Sequence, residues 1–404
     1  MAEEEDLAER LTTFYTTISD DLDRCMAFWL KHSHDDVNGG FFTCLEADGR
    51  VYDERKFCWL QCRQVWTYAR LYQEMPRFQL PHILEAARKG ADFVMKYVKE
   101  PNTSKCFLSL TREGQPIKSQ RTIFSESFYV MAMAEMYRVT KDDVYKKEAM
   151  AMMKQIVQWV KVDGSGLGPR LPPPVPTSSL AVPMILLMLI DELTIMDPQH
   201  SAGYNDLAEW CLQDVLKHVQ RGGVVLENVS EDGEELPGSV GRLMNPGHAI
   251  ETGWVLLEQA VNKNKPELKQ VALETFIMES FNRGWDDDYG GLFYFIDADD
   301  RPPVQLEWDM KLWWPHCESM VAFLMAYKHT GEHKYLKQFA KVFDYSYSHF
   351  VDFKQGEWFG YLSREGNVKI NAKGGEWKGC FHVPRTLMLC EQMLKELLQK
   401  QGQT

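Results

Sequence analysis

Two kinds of helix-period segment alternate along the chain. One kind, over 7–31, 80–98, 142–161, 203–220, 266–283 and 333–350, keeps apolar residues on one face and charges on the other, as in Tyr145-Lys146-Lys147-Glu148 and His333-Lys334-Tyr335-Leu336-Lys337. That pattern predicts helices half in solvent. The other kind, over 57–75, 122–138, 178–193, 247–261, 314–330 and 380–399, is nearly apolar all round. It predicts helices buried on every side.

Between each solvated helix and the buried one after it lies a short aromatic, glycine-marked segment with a charged turn. Clear copies run from Gly39-Gly40-Phe41-Phe42 to Asp48-Gly49, from Cys106-Phe107-Leu108 to Glu113-Gly114, and from Gly222-Gly223-Val224-Val225 to Asp232-Gly233. Two more run from Gly290-Gly291-Leu292-Phe293 to Asp299-Asp300 and from Trp358-Phe359-Gly360-Tyr361 to Glu365-Gly366. The gap between the second and third is about twice the usual 60 to 70 residues, with a degenerate copy, Gly164-Ser165-Gly166-Leu167-Gly168, in its middle. Asp-Gly or Glu-Gly between short apolar runs signals a hairpin turn that needs positive φ.

Six helix pairs closing on themselves predict an all-α (α/α)6 barrel of twelve helices, one catalytic domain over 1–404. The apolar helices form its inner ring, and short β-hairpins lie over their N-termini, where function is expected. An open solenoid of helix pairs is the alternative, but its repeats are shorter, roughly 30 to 50 residues, and need no hairpin.

Polar residues at the starts of helices this apolar need a reason, because charges are seldom buried unpaired. Arg63, Glu126, His248, Glu318 and His382 fall at near-equivalent places in five repeats and are expected to converge on one cavity. Asn245-Pro246 reads as an N-cap followed by an N1 proline, and Pro315 is expected to open the next inner helix the same way. His248 and Glu251 are three apart, so they share a face and the carboxylate is expected to orient or charge-stabilise the imidazole. Trp313 and Trp314 are candidates to pack on a ligand. His316 and Cys380 stand beside the set, Cys380 as packing rather than as a nucleophile.

Charge narrows the partners. Lys and Arg number 45 against 58 Asp and Glu, a formal net charge of -13 with no basic tract, which argues against nucleic acid and anionic membrane. Twelve Trp, 16 Tyr and 21 Phe are a large aromatic load, and aromatic faces suit sugar rings. The start MAEEEDLAER resembles no export signal, no stretch approaches the roughly 18 apolar residues of a membrane span, and nine cysteines without paired C-x-x-C spacing fit a reducing compartment. The expected location is therefore cytoplasmic. His32-Ser33-His34-Asp35-Asp36 has metal-ligand residue types but precedes an ordinary turn, so no metal is expected. There is no G-x-x-x-x-G-K-[ST] loop, and the Gly164–168 segment is too weak to name a phosphate site.

Asn245-Pro246-Gly247-His248-Ala249-Ile250-Glu251, Lys311-Leu312-Trp313-Trp314-Pro315-His316-Cys317-Glu318, Lys378-Gly379-Cys380-Phe381-His382-Val383-Pro384-Arg385 and Trp59-Leu60-Gln61-Cys62-Arg63-Gln64-Val65-Trp66 resemble the motifs of the N-acyl-D-glucosamine 2-epimerases, also called renin-binding proteins. The likeness spans essentially the whole chain. It implies catalytic histidines at His248 and His382, a supporting arginine at Arg63 and supporting acids at Glu251 and Glu318. It further implies an isomerase that interconverts N-acetylglucosamine and N-acetylmannosamine, in amino-sugar and sialic acid metabolism. Also implied are a homodimer, possible binding to renin, and a nucleotide such as ATP as a stabilising effector, with no cofactor consumed.

Inverting C2 of an aldose needs an opened ring, a base on one face of C2 and an acid on the other. Two histidines meet that need near neutral pH, and an arginine can stabilise the enediolate oxygen. The sequence does not assign the histidines to faces. An aldose–ketose isomerase would use similar residues. A glycoside hydrolase would need two carboxylates, for which Glu126 and Glu318 could stand, but would leave the histidines unexplained. A renin-binding regulator without catalysis would use the outer surface.

Overall fold

The structure is a computed structural model that describes residues 2–169 and 175–401. Its described residues form twelve helices: α1 Ala2–His32, α2 Cys58–Glu74, α3 Pro81–Tyr97, α4 Phe124–Thr140, α5 Asp143–Lys161, α6 Ala181–Met196, α7 Asn205–Leu216 and α8 Pro246–Asn262. There follow α9, which passes from Pro266–Val271 through a π-helical stretch Ala272–Glu279 to Ser280–Gly284, then α10 Trp313–Thr330, α11 His333–His349 and α12 His382–Gln401.

The apolar pattern sorts these helices as expected. In α10 every residue from Trp313 to Tyr327 is buried, whereas α11 buries one face through Tyr335, Leu336, Phe339, Val342 and Phe343. The even-numbered helices pack in the order α2, α4, α6, α8, α10, α12 and back to α2, which closes an inner ring. Thr67 of α2 seals that closure by donating to the Cys380 carbonyl at 2.8 Å. The odd-numbered helices pack outside, with α1 lying on α12. At the end away from the hairpins, Arg70 ties α2 to Glu135 and Glu192 at 3.0 and 2.7 Å, joining α4 and α6 there.

The hairpins lie over the N-termini of the inner ring and also stitch neighbouring repeats together. The strand before an inner helix pairs with the hairpin of the next repeat: Lys56–Phe57 with Phe107–Leu110, Thr177–Ser179 with Asn228–Ser230, Leu243–Met244 with Ile296–Asp297, and Lys311–Leu312 with Tyr361–Leu362. Gly49, Gly114, Gly233 and Gly366 turn with φ between 85° and 93°, and the fourth hairpin uses Asp300 at 57°. The degenerate copy makes no hairpin. Gly164–Leu167 is a single 3-10 turn whose Gly164 and Gly168 carbonyls accept from Arg121, so carbonyls rather than amides point at the nearby charge.

The caps follow the sequence in one case and depart from it in another. Asn245 accepts from the His248 amide at 3.2 Å with Pro246 at N1. Pro315, however, is the third residue of α10, as Pro183 is of α6 and Pro384 of α12. The first four amides of a helix have no carbonyl within it to meet, so proline costs nothing there either.

Candidate active site

The first two turns of all six inner helices surround a cavity of about 710 Å3 at the hairpin end. Arg63 comes from α2, Phe124 and Phe128 from α4, Met184 and Met188 from α6, His248 and Glu251 from α8, Trp313 and Trp314 from α10, and His382 and Arg385 from α12. Gly247 permits one close approach, since a Cβ there would lie 2.7 Å from the Trp314 ring. Trp314 consequently packs against both imidazoles, with ring centres 5.0 Å from His248 and 6.0 Å from His382.

Each histidine is held by a carboxylate. His382 Nδ1 lies 2.7 Å from Glu318 Oε1, and His248 Nδ1 lies 3.0 Å from Glu227 Oε1. A carboxylate on Nδ1 fixes the proton there and turns Nε2 outward as the working nitrogen. Glu318 also accepts from Trp254 at 3.0 Å and from Arg385 at 2.6 Å, and Arg385 reaches Glu251 at 3.0 Å. The resulting chain runs His382, Glu318, Arg385, Glu251.

The two imidazoles sit in opposite electrostatic settings. Burial, aided by the charges of Arg63 and Arg385, pushes His382 down to about 3 in spite of Glu318. Burial also works against charging His248, but Glu227, with Glu251 and Glu318 behind it, outweighs burial and raises its pKa. Among the carboxylates, Arg385 and His382 overcome burial to hold Glu318 at about 2, while burial and the Glu318 charge push Glu251 up.

Arg63 has no ion-pair partner among the described residues. Its guanidinium rests on the faces of Phe128, Trp59 and Phe381 at 4.0, 4.5 and 4.7 Å, and its Nε has no hydrogen-bond partner. Burial and Arg385 lower its pKa to about 9, which leaves it charged at neutral pH. A cavity-lining cation held by ring faces rather than by a carboxylate is arranged to receive negative charge.

Several expectations need correction. Of the two parts expected of Glu251 at His248, only the electrostatic one holds: its charge favours the imidazolium, but its carboxylate is turned toward Arg385, and Glu227 orients the imidazole instead. Glu126 does not reach the cavity. It accepts from the Cys106 amide at 2.7 Å and from Lys105 at 2.6 Å, bracing the second hairpin. His316 does the same for the fourth hairpin, accepting from the Leu292 amide at 3.0 Å. Gln61 plays this part in the first repeat, accepting from Phe41 at 2.7 Å. The positions in register therefore divide into two rows: Gln61, Glu126 and His316 face the hairpins, and two residues later Arg63 and Phe128 line the cavity while Glu318 sits behind it against His382. Cys380 is buried outside the cavity lining, its thiol pushed well up by burial.

Sequence reasoning missed Glu227 and Arg385. Arg385 was legible as part of the His382 motif, three residues on, whereas nothing local marked Glu227. Among the described residues one group has metal-ligand geometry, Glu251, Glu318 and His382, with donor atoms within 4.8 Å of one another. Arg385 already supplies positive charge between those two carboxylates. In the His32–Asp36 segment, His34 meets Tyr68 at 3.1 Å, and Asp35 is taken by Lys56 and Arg112. No helix of the described chain is long and apolar enough to cross a membrane.

Residues 40–384 match the family model described as N-acylglucosamine 2-epimerase (GlcNAc 2-epimerase). The N-acylglucosamine 2-epimerase of Bos taurus is 53% identical over 395 residues, covering 97% of this chain and 94% of its own. Among solved structures, the cellobiose 2-epimerase of Bacillus thermoamylovorans B4167 superposes with a TM-score of 0.81 at 19% identity, covering 94% of this chain and 99% of its own. A D-mannose isomerase superposes equally well, with a TM-score of 0.81 at 18% identity over 94% of this chain and 98% of its own. These two likenesses establish the barrel; the chemistry has to come from the site.

Proposed function

The chain belongs to the N-acylglucosamine 2-epimerase family, and from that premise we propose that it inverts C2 of an N-acyl hexosamine, interconverting N-acetylglucosamine and N-acetylmannosamine, by passing a proton between His248 and His382. It is an isomerase of the epimerase class. The observation that carries the mechanism is the pair of imidazoles at one cavity, each with Nδ1 on a carboxylate and with opposite charge preferences.

Ring opening places C2 next to the C1 carbonyl and makes its proton removable. His382, neutral at working pH, presents an Nε2 lone pair and takes the proton from one face. His248, whose carboxylates favour the imidazolium, delivers a proton to the other face. Environments that push two titratable groups apart assign acid and base in this way. The electron pair released from C2 moves onto the carbonyl oxygen, and Arg63, a cation without an ion-pair partner among the described residues, is available to that enediolate. In the reverse direction the same single proton on the histidine pair is used from the other side.

Proton NMR of N-acetylmannosamine with the protein in deuterium oxide tests this. N-acetylglucosamine carrying deuterium at C2 is the expected product, absent in both His248→Ala and His382→Ala. A ketose product would make the protein an aldose–ketose isomerase, and complete retention of the original C2 hydrogen would exclude exchangeable proton transfer.

The family resemblance also supports a homodimer, a nucleotide such as ATP as stabilising effector, a renin-binding capacity and a cytoplasmic place. The net charge of -13 agrees with a partner that is neither nucleic acid nor anionic membrane.

A further inference from the structure

The cavity has two unlike halves. Its charged groups come from α2, α8 and α12 and from Glu227 and Glu307 in the loops above them, with Glu318 of α10 just behind. From α6 it receives only Ala181, Met184, Ile185 and Met188. These are spaced i, i+3, i+4, i+7, one unbroken stripe on one helix face. All are at most 9% exposed, so what they show is shown to the cavity. Several other apolar lining residues have a use already: Phe128 and Trp59 support Arg63 at 4.0 and 4.5 Å, and Trp314 packs on both imidazoles. The α6 stripe supports no charged group.

The ring order says what that stripe faces. With six helices in the sequence α2, α4, α6, α8, α10, α12, helix α6 stands across the cavity from α12 and beside α8. A carbon held between His382 of α12 and His248 of α8 has α10 between those two helices, with Trp314 on both imidazoles, and the α6 stripe lines the same cavity on the other side of α8. An amino-sugar substrate carries hydroxyls or a carbonyl along its chain, and these suit the ionisable half. Its one apolar end is the alkyl tail of the acyl group, attached through nitrogen to the reacting carbon.

We infer that Ala181, Met184, Ile185 and Met188 form the acyl-chain pocket of this site and set how long an N-acyl group it accepts. This rests on the reading that C2 lies between His248 and His382. The cavity, about 710 Å3, lies in the upper part of the roughly 300–1,000 Å3 usual for small-molecule sites and leaves room beyond an acetyl group. Methionine walls adapt to added methylenes. The pocket takes N-propanoyl and N-butanoyl hexosamines as well as the N-acetyl sugar.

The test is kcat/KM for N-acetyl-, N-propanoyl- and N-butanoylmannosamine with the wild type, Ala181→Leu and Met188→Ala. Within each variant the quantity read is the butanoyl-to-acetyl ratio, which cancels any loss of active protein. One methylene in an apolar pocket is worth about tenfold or more, so Ala181→Leu, which fills the pocket, should lower the ratio by roughly tenfold, and Met188→Ala, which deepens it, should raise the ratio severalfold. Should Ala181→Leu not fold, Met188→Ala decides alone. Normal turnover of the acetyl sugar with ratios unmoved in the variants would overturn the pocket and leave the epimerase standing. Failure of the wild type to convert any of the three sugars would overturn the epimerase reading and the pocket with it.

Discussion

His248 and Glu227, 21 positions apart, meet through Nδ1 and Oε1 at 3.0 Å. Glu227 immediately precedes the third hairpin's strand Asn228–Ser230, which pairs with the strand leading into α6. The hairpin thus delivers the carboxylate that charges a histidine on the following helix.

Replacing Glu227 by Gln should shift the high-pH limb of activity toward lower pH. Both directions of the reaction need one proton on the histidine pair. His382 sits at about 3, so the acid limb lies far down, and His248, raised above 6.5, sets where the pair loses its proton as pH rises. Glu227 is a cause of that elevation, so an uncharged amide lowers the His248 pKa and brings the falling limb down with it. Profiles of kcat/KM from pH 5 to 9 check this; an unmoved limb would remove His248 as the titrating acid.

The barrel was legible in the sequence because helix period and hairpin turns are local signals. That the starts of the inner helices share one cavity was legible because each inner helix starts at the same phase of its repeat. What local pattern could not separate were two rows of polar residues offset by two positions. Glu126 and His316 look like Arg63 and Glu318 in sequence, yet that offset turns them to the other side of the helix. Glu227 was invisible for a different reason: its partner lies across a loop, with no fixed spacing to betray it.

Glu318→Gln should cost about 10²- to 10⁴-fold in kcat while the protein stays folded, as expected where a carboxylate fixes the tautomer of a catalytic imidazole. The amide can donate to Nδ1 and so place the imidazole proton on Nε2, the nitrogen that must be bare to act as base. It also takes the charge away from Arg385, which lies 2.6 Å off. A variant with kcat within a factor of two of wild type would show that Glu318 only packs.

Arg63→Met should lower kcat by about 10²- to 10³-fold, the usual loss when one donor to a developing oxyanion is removed. Its melting temperature should not fall. The methionine gives up three cation–ring contacts but also removes a buried cation that has no ion-pair partner among the described residues. Calorimetry alongside kinetics separates the two effects, and a collapse in stability with kcat retained would mark Arg63 as structural.

The bracing row gives the opposite signature, and His316 is its sharpest case. Its Nδ1 donates to the Leu312 carbonyl at 2.6 Å, and its Nε2 accepts from the Leu292 amide at 3.0 Å, so only the neutral ring fits. Burial, with Lys311 and His349 close by, pushes it down to about 3. As pH falls below the 6.5 of an ordinary imidazole, the unfolded chain binds a proton that the folded one refuses, so folding loses up to about 1.4 kcal/mol per pH unit. Gln61 fills the equivalent place in the first repeat, accepting from the Phe41 amide and donating to the Phe41 carbonyl at 2.7 and 2.8 Å. His316→Gln should therefore fold and turn over substrate. Between pH 7 and pH 5 it should gain about 2 kcal/mol relative to wild type in urea unfolding. His316→Ala, which leaves the Leu292 amide without a partner, should lose about 1–3 kcal/mol at either pH. An equal pH dependence in wild type and His316→Gln would show that this imidazole titrates alike in the folded and unfolded chains.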